Sequence, residues 1–132
     1  MAPRRAARVT DAEVTVDRRD GGVVLSLAGE VDLANVDRVR EQIEAEVANA
    51  SWALILDLSI LRYLDSAGVR LLFELSSRLA ERRQELIVVA PEGTSPRGVL
   101  TLVSIDRVAR LTETLDEALE RLRAMRREQS RT

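Results

Sequence analysis

The stretch of sequence that decides the fold is Asp57-Leu58-Ser59-Ile60-Leu61-Arg62-Tyr63-Leu64-Asp65-Ser66-Ala67-Gly68. It lies between a continuous apolar run, residues 53–56, and an amphipathic segment that begins near Val69. A short apolar run closed by an acidic residue is typical of a central strand that is buried on both faces. The stretch therefore joins a central strand to a helix and places an acidic residue, a hydroxyl group and a glycine at the start of that helix.

The helix that follows carries an apolar stripe on its inner side. The stripe consists of Val69, Leu72, Phe73, Ser76 and Leu79. On the outer side we expect Glu74 and Arg78 to form an ion pair, because residues four positions apart are neighbours on a helix. Backbone N–H groups in the first helical turn lack partners, and the helix dipole favours negative charge there. A phosphate group on Ser66 would therefore be well placed.

Apolar periodicity predicts the elements that precede this stretch. Residues 14–16 and 23–27 alternate between apolar and polar side chains around a glycine-containing turn at 20–22, which indicates an antiparallel hairpin. A helix follows, with Asn35 as its N-cap. Its apolar face is formed by Val36, Val39, Ile43 and Val47, which have the spacing of one helix face.

The second half of the chain continues the alternation of strands and helices. Residues 86–90 predict another buried strand, and Ser95 followed by proline predicts the start of a short helix. That helix is expected to bury Val99, Leu100 and Val103. A brief strand at 108–111 precedes the last helix, which begins with a capping box of Thr114 and Glu117.

The order of these elements predicts a single α/β domain with a mostly parallel central β-sheet, an antiparallel N-terminal edge hairpin and about four flanking helices. We assign residues 1–12 to a disordered basic arm, 13–123 to the domain and 124–132 to a frayed arginine-rich tail. In open α/β folds, functional loops gather where the strands end. Residues 30–32 and 58–68 are expected to share that edge.

Composition narrows the possible functions. The net charge is −2 and aromatic residues make up 2% of the 132 residues, so we expect no direct binding of nucleic acid. Cysteine and histidine are absent, which removes disulfides, thiolate chemistry and the commonest general base. No apolar stretch approaches the length of a membrane span, and no hydrophobic signal segment follows the basic first residues. We therefore expect a cytoplasmic protein without membrane insertion.

Two catalytic or phosphorelay interpretations of the central stretch lack essential side chains. Residues 64–68 are similar to the G-x-S-x-G turn of hydrolases, but Leu64 replaces the first glycine and there is no histidine to act as base. Asp57 could be the phosphate acceptor of a receiver-like domain, but such a site needs a lysine, which the chain lacks. Glycine-rich nucleotide loops are absent too. We expect no catalysis, no cofactor and no metal site.

Simpler structural roles remain open for the same residues. Asp65 or Ser66 could serve only as a helix cap, a contribution of about 1 kcal/mol to stability. Gly68 could serve only to permit close packing, and Glu30 with Asp32 could form a solvated turn.

Two motifs occur together at a characteristic separation: residues 57–59 followed by 64–69, and, further upstream, the segment Gly29-Glu30-Val31-Asp32. The combination closely resembles the signature of the STAS domain, named for sulfate transporters and anti-sigma factor antagonists. The resemblance extends from about Glu13 to Leu122. One departure is Ser104, at a position where family members often carry glycine.

The resemblance implies an anti-sigma factor antagonist, which in its unphosphorylated form binds an anti-sigma factor and frees a sigma factor for transcription. It also implies that Ser66 is phosphorylated by the anti-sigma factor, a GHKL-type serine kinase, and dephosphorylated by a PP2C-type phosphatase. The expected partner-binding residues are Glu30, Asp32, Asn35, Leu64, Asp65, Ser66, Ala67, Gly68 and Arg70. The alternative is another role of such domains, in a stress-sensing scaffold or as a subunit of a lipid-transporting ABC system.

Overall fold

The computed structural model describes residues 11–131, which form six strands and four α-helices. In chain order these are β1 (Ala12–Arg19), β2 (Gly22–Val31), α1 (Val36–Val47), β3 (Ala53–Asp57), β4 (Leu61–Leu64), α2 (Ser66–Glu81), β5 (Glu85–Val89), α3 (Ser95–Leu102), β6 (Arg110–Thr112) and α4 (Leu115–Arg131). A 3-10 turn, Ile105–Arg107, precedes β6. The predicted basic arm lies outside the described residues except for its last two, and Ala12 already belongs to β1.

The strands form one mixed sheet in the order β1-β2-β3-β5-β6. β1 runs antiparallel to β2, and the other pairings are parallel. β2 pairs with β3 through residues 23–26 and with β4 through residues 29–31, so β4 continues the sheet beyond the end of β3. This topology confirms the predicted fold class, a mostly parallel sheet with an antiparallel N-terminal hairpin.

The hairpin turn between β1 and β2 consists of Asp20 and Gly21, which both have positive φ angles, 50° and 84°. Arg19 pairs directly with Gly22, so this is a two-residue turn of the type whose twist matches the flanking strands. The ring of Trp52 packs against Gly21, where a Cβ atom would lie only 2.0 Å from the ring atom Cζ3. Glycine is required here both for its φ angle and for this contact.

β2 continues four residues beyond its predicted end. Gly29 has a φ of +93°, and a Cβ atom there would lie 2.2 Å from the carbonyl oxygen of Asp11. The register of β2 against β4 shifts between Gly29 and Glu30. Glu30 is therefore a strand residue, and its interpretation as part of a solvated turn is wrong.

β4 was not predicted from the sequence. Its buried residues, Leu61 and Leu64, are three positions apart, and the two residues between them, Arg62 and Tyr63, are exposed. A half-buried strand normally alternates with a period of two, so this spacing gives no strand signal. The segment is a strand because it pairs with the end of β2.

Apolar clusters cover both faces of the sheet. α1 and α2 pack on one face, where all four residues of the predicted α1 stripe are buried. α4 packs on the other face, where Leu119 and Leu122 join a cluster that includes Ile55 and Ile87. Strands β3 and β5 are thus buried on both sides, as their continuous apolar sequences predict.

α2 begins at Ser66 and buries a wider face than predicted. Leu71 and Leu75 are buried in addition to three residues of the predicted stripe, whereas Val69 and Phe73 are only partly buried. The core-facing surface of the helix is therefore rotated slightly from the predicted stripe.

The outer residues of α2 bind to α1 instead of to each other. Glu74 Oε1 lies 3.1 Å from the guanidinium of Arg40, and Arg78 Nε lies 3.5 Å from the carboxylate of Glu44. The predicted ion pair within α2 is therefore wrong, because α1 lies close enough to offer both side chains a partner across the helix interface.

α3 is capped by Thr94, one residue earlier than predicted. Its hydroxyl oxygen accepts a hydrogen bond from the Arg97 N–H at 3.3 Å. Leu100 is buried as predicted, but Val103 follows the end of the helix and is 36% exposed. Ser104 then adopts the left-handed conformation, with φ 58° and ψ 47°, at the position where the family resemblance leads one to expect glycine.

The predicted capping box of α4 is confirmed in its Thr114 half, whereas Glu117 binds the N–H of the residue before the cap. Thr114 Oγ1 accepts from the Glu117 N–H at 3.1 Å, and Glu117 Oε1 accepts from the Glu113 N–H at 2.8 Å. α4 continues to Arg131, through residues for which the sequence predicts a frayed tail. Within residues 11–131, no helix has the length and apolar character that crossing a membrane requires.

Candidate functional site

The candidate site lies at the edge of the sheet where β2 and β4 end. The N–H of Asp65 donates a hydrogen bond to the carbonyl oxygen of Val31 at 3.1 Å, so the start of α2 lies directly beside the loop that leads from β2 to α1. Parallel strands bring their carboxyl ends together in this way. The predicted proximity of residues 30–32 and 58–68 is confirmed.

Asp65 is the cap of α2. Its Oδ1 atom accepts hydrogen bonds from the N–H groups of Ala67 at 2.9 Å and Gly68 at 3.1 Å. Ser66 is the first helical residue and is exposed, so it is not the cap. The capping role that the sequence allowed for either residue therefore belongs to Asp65. Among residues 11–131, the Ser66 hydroxyl makes no hydrogen bond that would cap the helix.

The other oxygen of Asp65 reaches the neighbouring loop. Oδ2 accepts a hydrogen bond from the backbone N–H of Leu33 at 3.1 Å. One carboxylate thus fixes the start of α2 and holds the loop between β2 and α1 against it. Both oxygens of Asp65 are engaged with backbone N–H groups.

The loop between β2 and α1 is closed by its own side chains. Asp32 Oδ1 accepts from the N–H groups of Ala34 at 2.9 Å and Asn35 at 3.2 Å. Asn35 Oδ1 accepts from the Asp32 N–H at 3.0 Å, and Asn35 Nδ2 donates to the Glu30 carbonyl at 2.8 Å. Asn35 occupies the predicted N-cap position of α1, but its side chain folds back onto the loop and does not cap the helix.

Glu30 faces a different direction from the rest of the predicted site. Neighbouring strand residues point to opposite faces of a sheet, and Val31 is buried in the core beneath α1 and α2. The Glu30 carboxylate accordingly lies on the other face, 3.9 Å from the guanidinium of Arg62. The structure brings Glu30 to the correct edge but not to the surface around Ser66.

Leu64 and Gly68 lie beneath that surface. Both are buried, and a Cβ atom on Gly68 would lie 2.4 Å from Leu64 Cδ1 and 3.1 Å from Val31 Cγ1. Gly68 is therefore needed so that α2 can approach the strands closely. Leu64 ends β4 and Gly68 lies in α2, and both positions face the core, where they set the distance between α2 and the strands. Their contact with a partner stays a prediction.

Ser66 lies at the rim of a groove of about 320 Å³ between α1 and α2. The groove is lined by Leu33, Val36, Asp37, Arg40, Asp65, Ser66, Ala67 and Arg70. The predicted Asp65, Ser66, Ala67 and Arg70 are thus brought together. Sequence reasoning missed Asp37 and Arg40, since nothing in the α1 sequence shows which of its polar residues face α2. It also missed Leu33, an apolar loop residue whose exposure has no signal in the sequence.

Arg40 is held in place within this groove. Its guanidinium lies 2.6 Å from Asp37 Oδ1 and 3.1 Å from Glu74 Oε1. The hydrogen bond with Asp37 above all, helped by Glu74, raises the pKa of Arg40 above its usual value. Arg40 therefore stays charged, and two carboxylates compensate its charge. Arg70, which follows Ser66 in α2, lines the same groove.

Asp57, the residue of the receiver-like alternative, forms a turn at the end of β3. Its Oδ1 accepts from the backbone N–H of Ser59 at 3.0 Å and from the Ser59 hydroxyl. Among residues 11–131, no three acidic side chains come together in the manner of a metal site. The geometry offers an exposed serine hydroxyl, a fixed turn and a small groove.

Comparison with known proteins identifies the family of the chain. The family model of the STAS domain matches residues 13–118. The chain is 34% identical to the anti-sigma-F factor antagonist RsfB of Mycobacterium tuberculosis over 113 aligned residues. The aligned region covers 86% of this chain and 91% of that protein.

Solved structures show the same relationship. An anti-sigma factor antagonist from Mycobacterium paratuberculosis matches with a TM-score of 0.77 and 31% identity, over 86% of this chain and 96% of that one. The Bacillus cell fate determinant SpoIIAA in its phosphorylated form matches with a TM-score of 0.64 and 25% identity, over 84% and 100%. With a family model that covers most of the domain and a relative of this similarity, the chain belongs to the STAS domain family.

Proposed function

We propose that the chain is an anti-sigma factor antagonist, whose unphosphorylated form binds an anti-sigma factor and thereby frees a sigma factor. In this proposal the anti-sigma factor is a GHKL-type kinase that phosphorylates Ser66, and a PP2C-type phosphatase removes the phosphate. The names of the relatives support the antagonist role, and one of them has been solved in a phosphorylated form. The chain would act as substrate and switch, without catalysis of its own.

The observation that carries the proposal is the position of Ser66. Its side chain is exposed on the first residue of α2, at the rim of the groove between α1 and α2. The adjacent Asp65 fixes the backbone on which the hydroxyl is presented. A kinase can therefore reach the hydroxyl without any opening of the fold, and a phosphate there would stand on the surface that a partner meets.

Phosphorylation should change this surface much more than it changes stability. A phosphoserine carries about −1.5 to −2 charges at pH 7. The dipole of α2 favours this charge by about 0.3–1 kcal/mol, but the Asp65 carboxylate is adjacent and already occupies the N–H groups of Ala67 and Gly68. These opposing contributions nearly cancel within the domain. A partner that must bury or face the phosphate, in contrast, loses affinity.

The proposal is tested by incubation of the purified chain with each anti-sigma factor of the source organism in the presence of Mg²⁺ and ATP. Intact-mass measurement should show one added phosphate, which peptide mapping places on Ser66. Ser66→Ala should remain unmodified. Ser59→Ala is the matched control, because Ser59 is an exposed serine at the same edge of the sheet. Stoichiometric phosphate on Ser59 or Thr114, or no binding to any anti-sigma factor, would contradict the proposal.

A further inference from the structure

Leu33 is an exposed apolar residue on the loop between β2 and α1, and hydrogen bonds hold the backbone of this loop in place. Its side chain is 78% exposed. The flanking residues Asp32 and Asn35 close the turn through their side chains, and the Leu33 N–H is bound by Asp65. The leucine is therefore presented to solvent in a fixed position, and little conformational freedom would be lost if a partner covered it.

The surroundings of Leu33 define what kind of surface would cover it. The leucine lines the groove together with Ala67, which is partly buried, and Val36, which is almost wholly buried, so Leu33 supplies most of the exposed apolar area. Carboxylates border this area at Asp37 and Asp65. The same groove is also lined by Arg40, which is paired with Asp37 and Glu74, and by Arg70. The result is a small exposed apolar side chain in a groove whose border carries both carboxylates and guanidinium groups.

We infer that Leu33 is the apolar anchor through which the chain binds its protein partner, and that the partner presents an apolar pocket bordered by charged side chains of both signs. This inference rests on the proposed function for the identity of the partner, an anti-sigma factor. Full burial of a leucine side chain corresponds to roughly a ten- to hundredfold gain in affinity. Acidic and basic groups at the border of the pocket complement the arginines and the carboxylates of the groove and fix the orientation of binding.

The inference also explains how a phosphate on Ser66 would act. Ser66 and Leu33 line the same groove, and both adjoin the Asp65 carboxylate. A partner that encloses Leu33 in an apolar pocket must remove water from the groups around the leucine. A phosphate on Ser66 would be one of these groups. Removal of water from a charged group opposes binding unless the group finds full compensation. Phosphorylation thus prevents the burial of Leu33 rather than the folding of the loop.

The test compares Leu33→Ser with Leu102→Ser in binding to the purified anti-sigma factor that binds the unmodified chain, measured by calorimetry. Leu102 is a matched control because it is a leucine of similar exposure, 84%, on α3 and outside the groove. Leu33→Ser should weaken binding at least tenfold, whereas Leu102→Ser should change it by less than twofold. Thermal unfolding should be nearly the same for both variants and the unmodified chain, because neither side chain is buried.

The outcomes separate the inference from the proposed function. If the unmodified chain binds no anti-sigma factor, the proposed function fails, and the inference with it. If the unmodified chain binds but Leu33→Ser binds equally well, or if both leucine variants lose the same affinity, the inference alone is overturned. A double-mutant cycle adds a direct check: Ser66→Glu should weaken binding at least tenfold in the unmodified chain but less than threefold in the Leu33→Ser background.

Discussion

The Oδ2 atom of Asp65 accepts a hydrogen bond from the backbone N–H of Leu33 at 3.1 Å, across 32 positions of sequence. The same carboxylate caps α2 through its other oxygen. A single side chain therefore sets the position of the exposed serine and of the exposed leucine relative to each other. Changes at Asp65 should affect both the stability of α2 and the order of the loop before α1.

Asp65→Ala should lower the free energy of unfolding by about 1–2 kcal/mol, because the first turn of α2 loses its cap. Asp65→Asn should lose less, since asparagine is an equally favourable cap. Urea unfolding measures both effects. Hydrogen exchange of the Leu33 amide should accelerate in Asp65→Ala, and an unchanged exchange rate would show that the loop is ordered without Asp65.

Substitutions at Ser66 should change partner binding in opposite ways. Ser66→Ala should bind the anti-sigma factor with the affinity of the unmodified chain and should no longer be switched off by ATP. Ser66→Glu should bind more weakly by tenfold or more, because the carboxylate places part of the phosphate's charge beside Leu33. Calorimetry measures both affinities. Equal affinities of the two variants would show that charge at this turn does not control binding.

Gly68→Ala should destabilise the fold by about 1–3 kcal/mol, because the added methyl group would overlap the Leu64 side chain at 2.4 Å and force the packing to shift. Gly98→Ala is the control within α3, where a Cβ atom meets nothing within 4 Å. That change should leave stability unchanged or raise it by up to about 1 kcal/mol, through the higher helix propensity of alanine. Chemical denaturation of the two variants in parallel decides whether close packing or flexibility explains Gly68.

Ser104→Gly should stabilise the chain by about 0.5–1 kcal/mol. Serine pays a steric penalty at φ 58°, which glycine avoids, and the greater entropy of glycine in the unfolded chain offsets only part of that gain. Ser77→Gly, at an exposed position inside α2, should have the opposite sign and a similar size. If Ser104→Gly also proves destabilising, the left-handed turn is not the strained element that its φ angle indicates.

Acid should remove a stabilising contribution of Glu85. Burial raises the pKa of this carboxyl, but hydrogen bonds from Arg121 and Arg110 outweigh that effect and hold the pKa below its usual value. The contribution is therefore fully present above the unfolded-state pKa, about 4.3, and is lost as the pH falls through the lower folded value. The difference in unfolding free energy between the unmodified chain and Glu85→Gln should shrink between pH 6 and pH 3. A constant difference would contradict this assignment.

Elements with a regular apolar period could be predicted from the sequence. The α1 stripe is buried at all four predicted positions, and the continuous runs of β3 and β5 lie between two layers of helices. Burial determines these elements, and the spacing of apolar residues in the sequence shows directly which positions are buried. The capping box of Thr114 and Glu117 was predictable for a different reason, because its hydrogen bonds are local in sequence.

The features that could not be predicted depend on contacts between distant segments. β4 is a strand only because β2 extends past Gly29 to pair with it. Asp65 could be predicted as a possible cap, but its bond to Leu33 requires knowledge of which loop lies beside α2. Leu33 itself reads as an ordinary apolar residue, and only the structure shows that its side chain stays outside the core.

The packing of Trp52 on the hairpin turn gives the chain a natural optical probe. Trp52 is the single tryptophan, and Gly21 against which it packs lies at the opposite end of β2 from Val31 and the Ser66 groove. The ten residues of β2 separate the two ends by about 30 Å. Tryptophan emission should therefore report unfolding of the sheet while remaining insensitive to occupation of the groove, so the stabilisation that a bound partner provides can be followed by fluorescence without any attached dye.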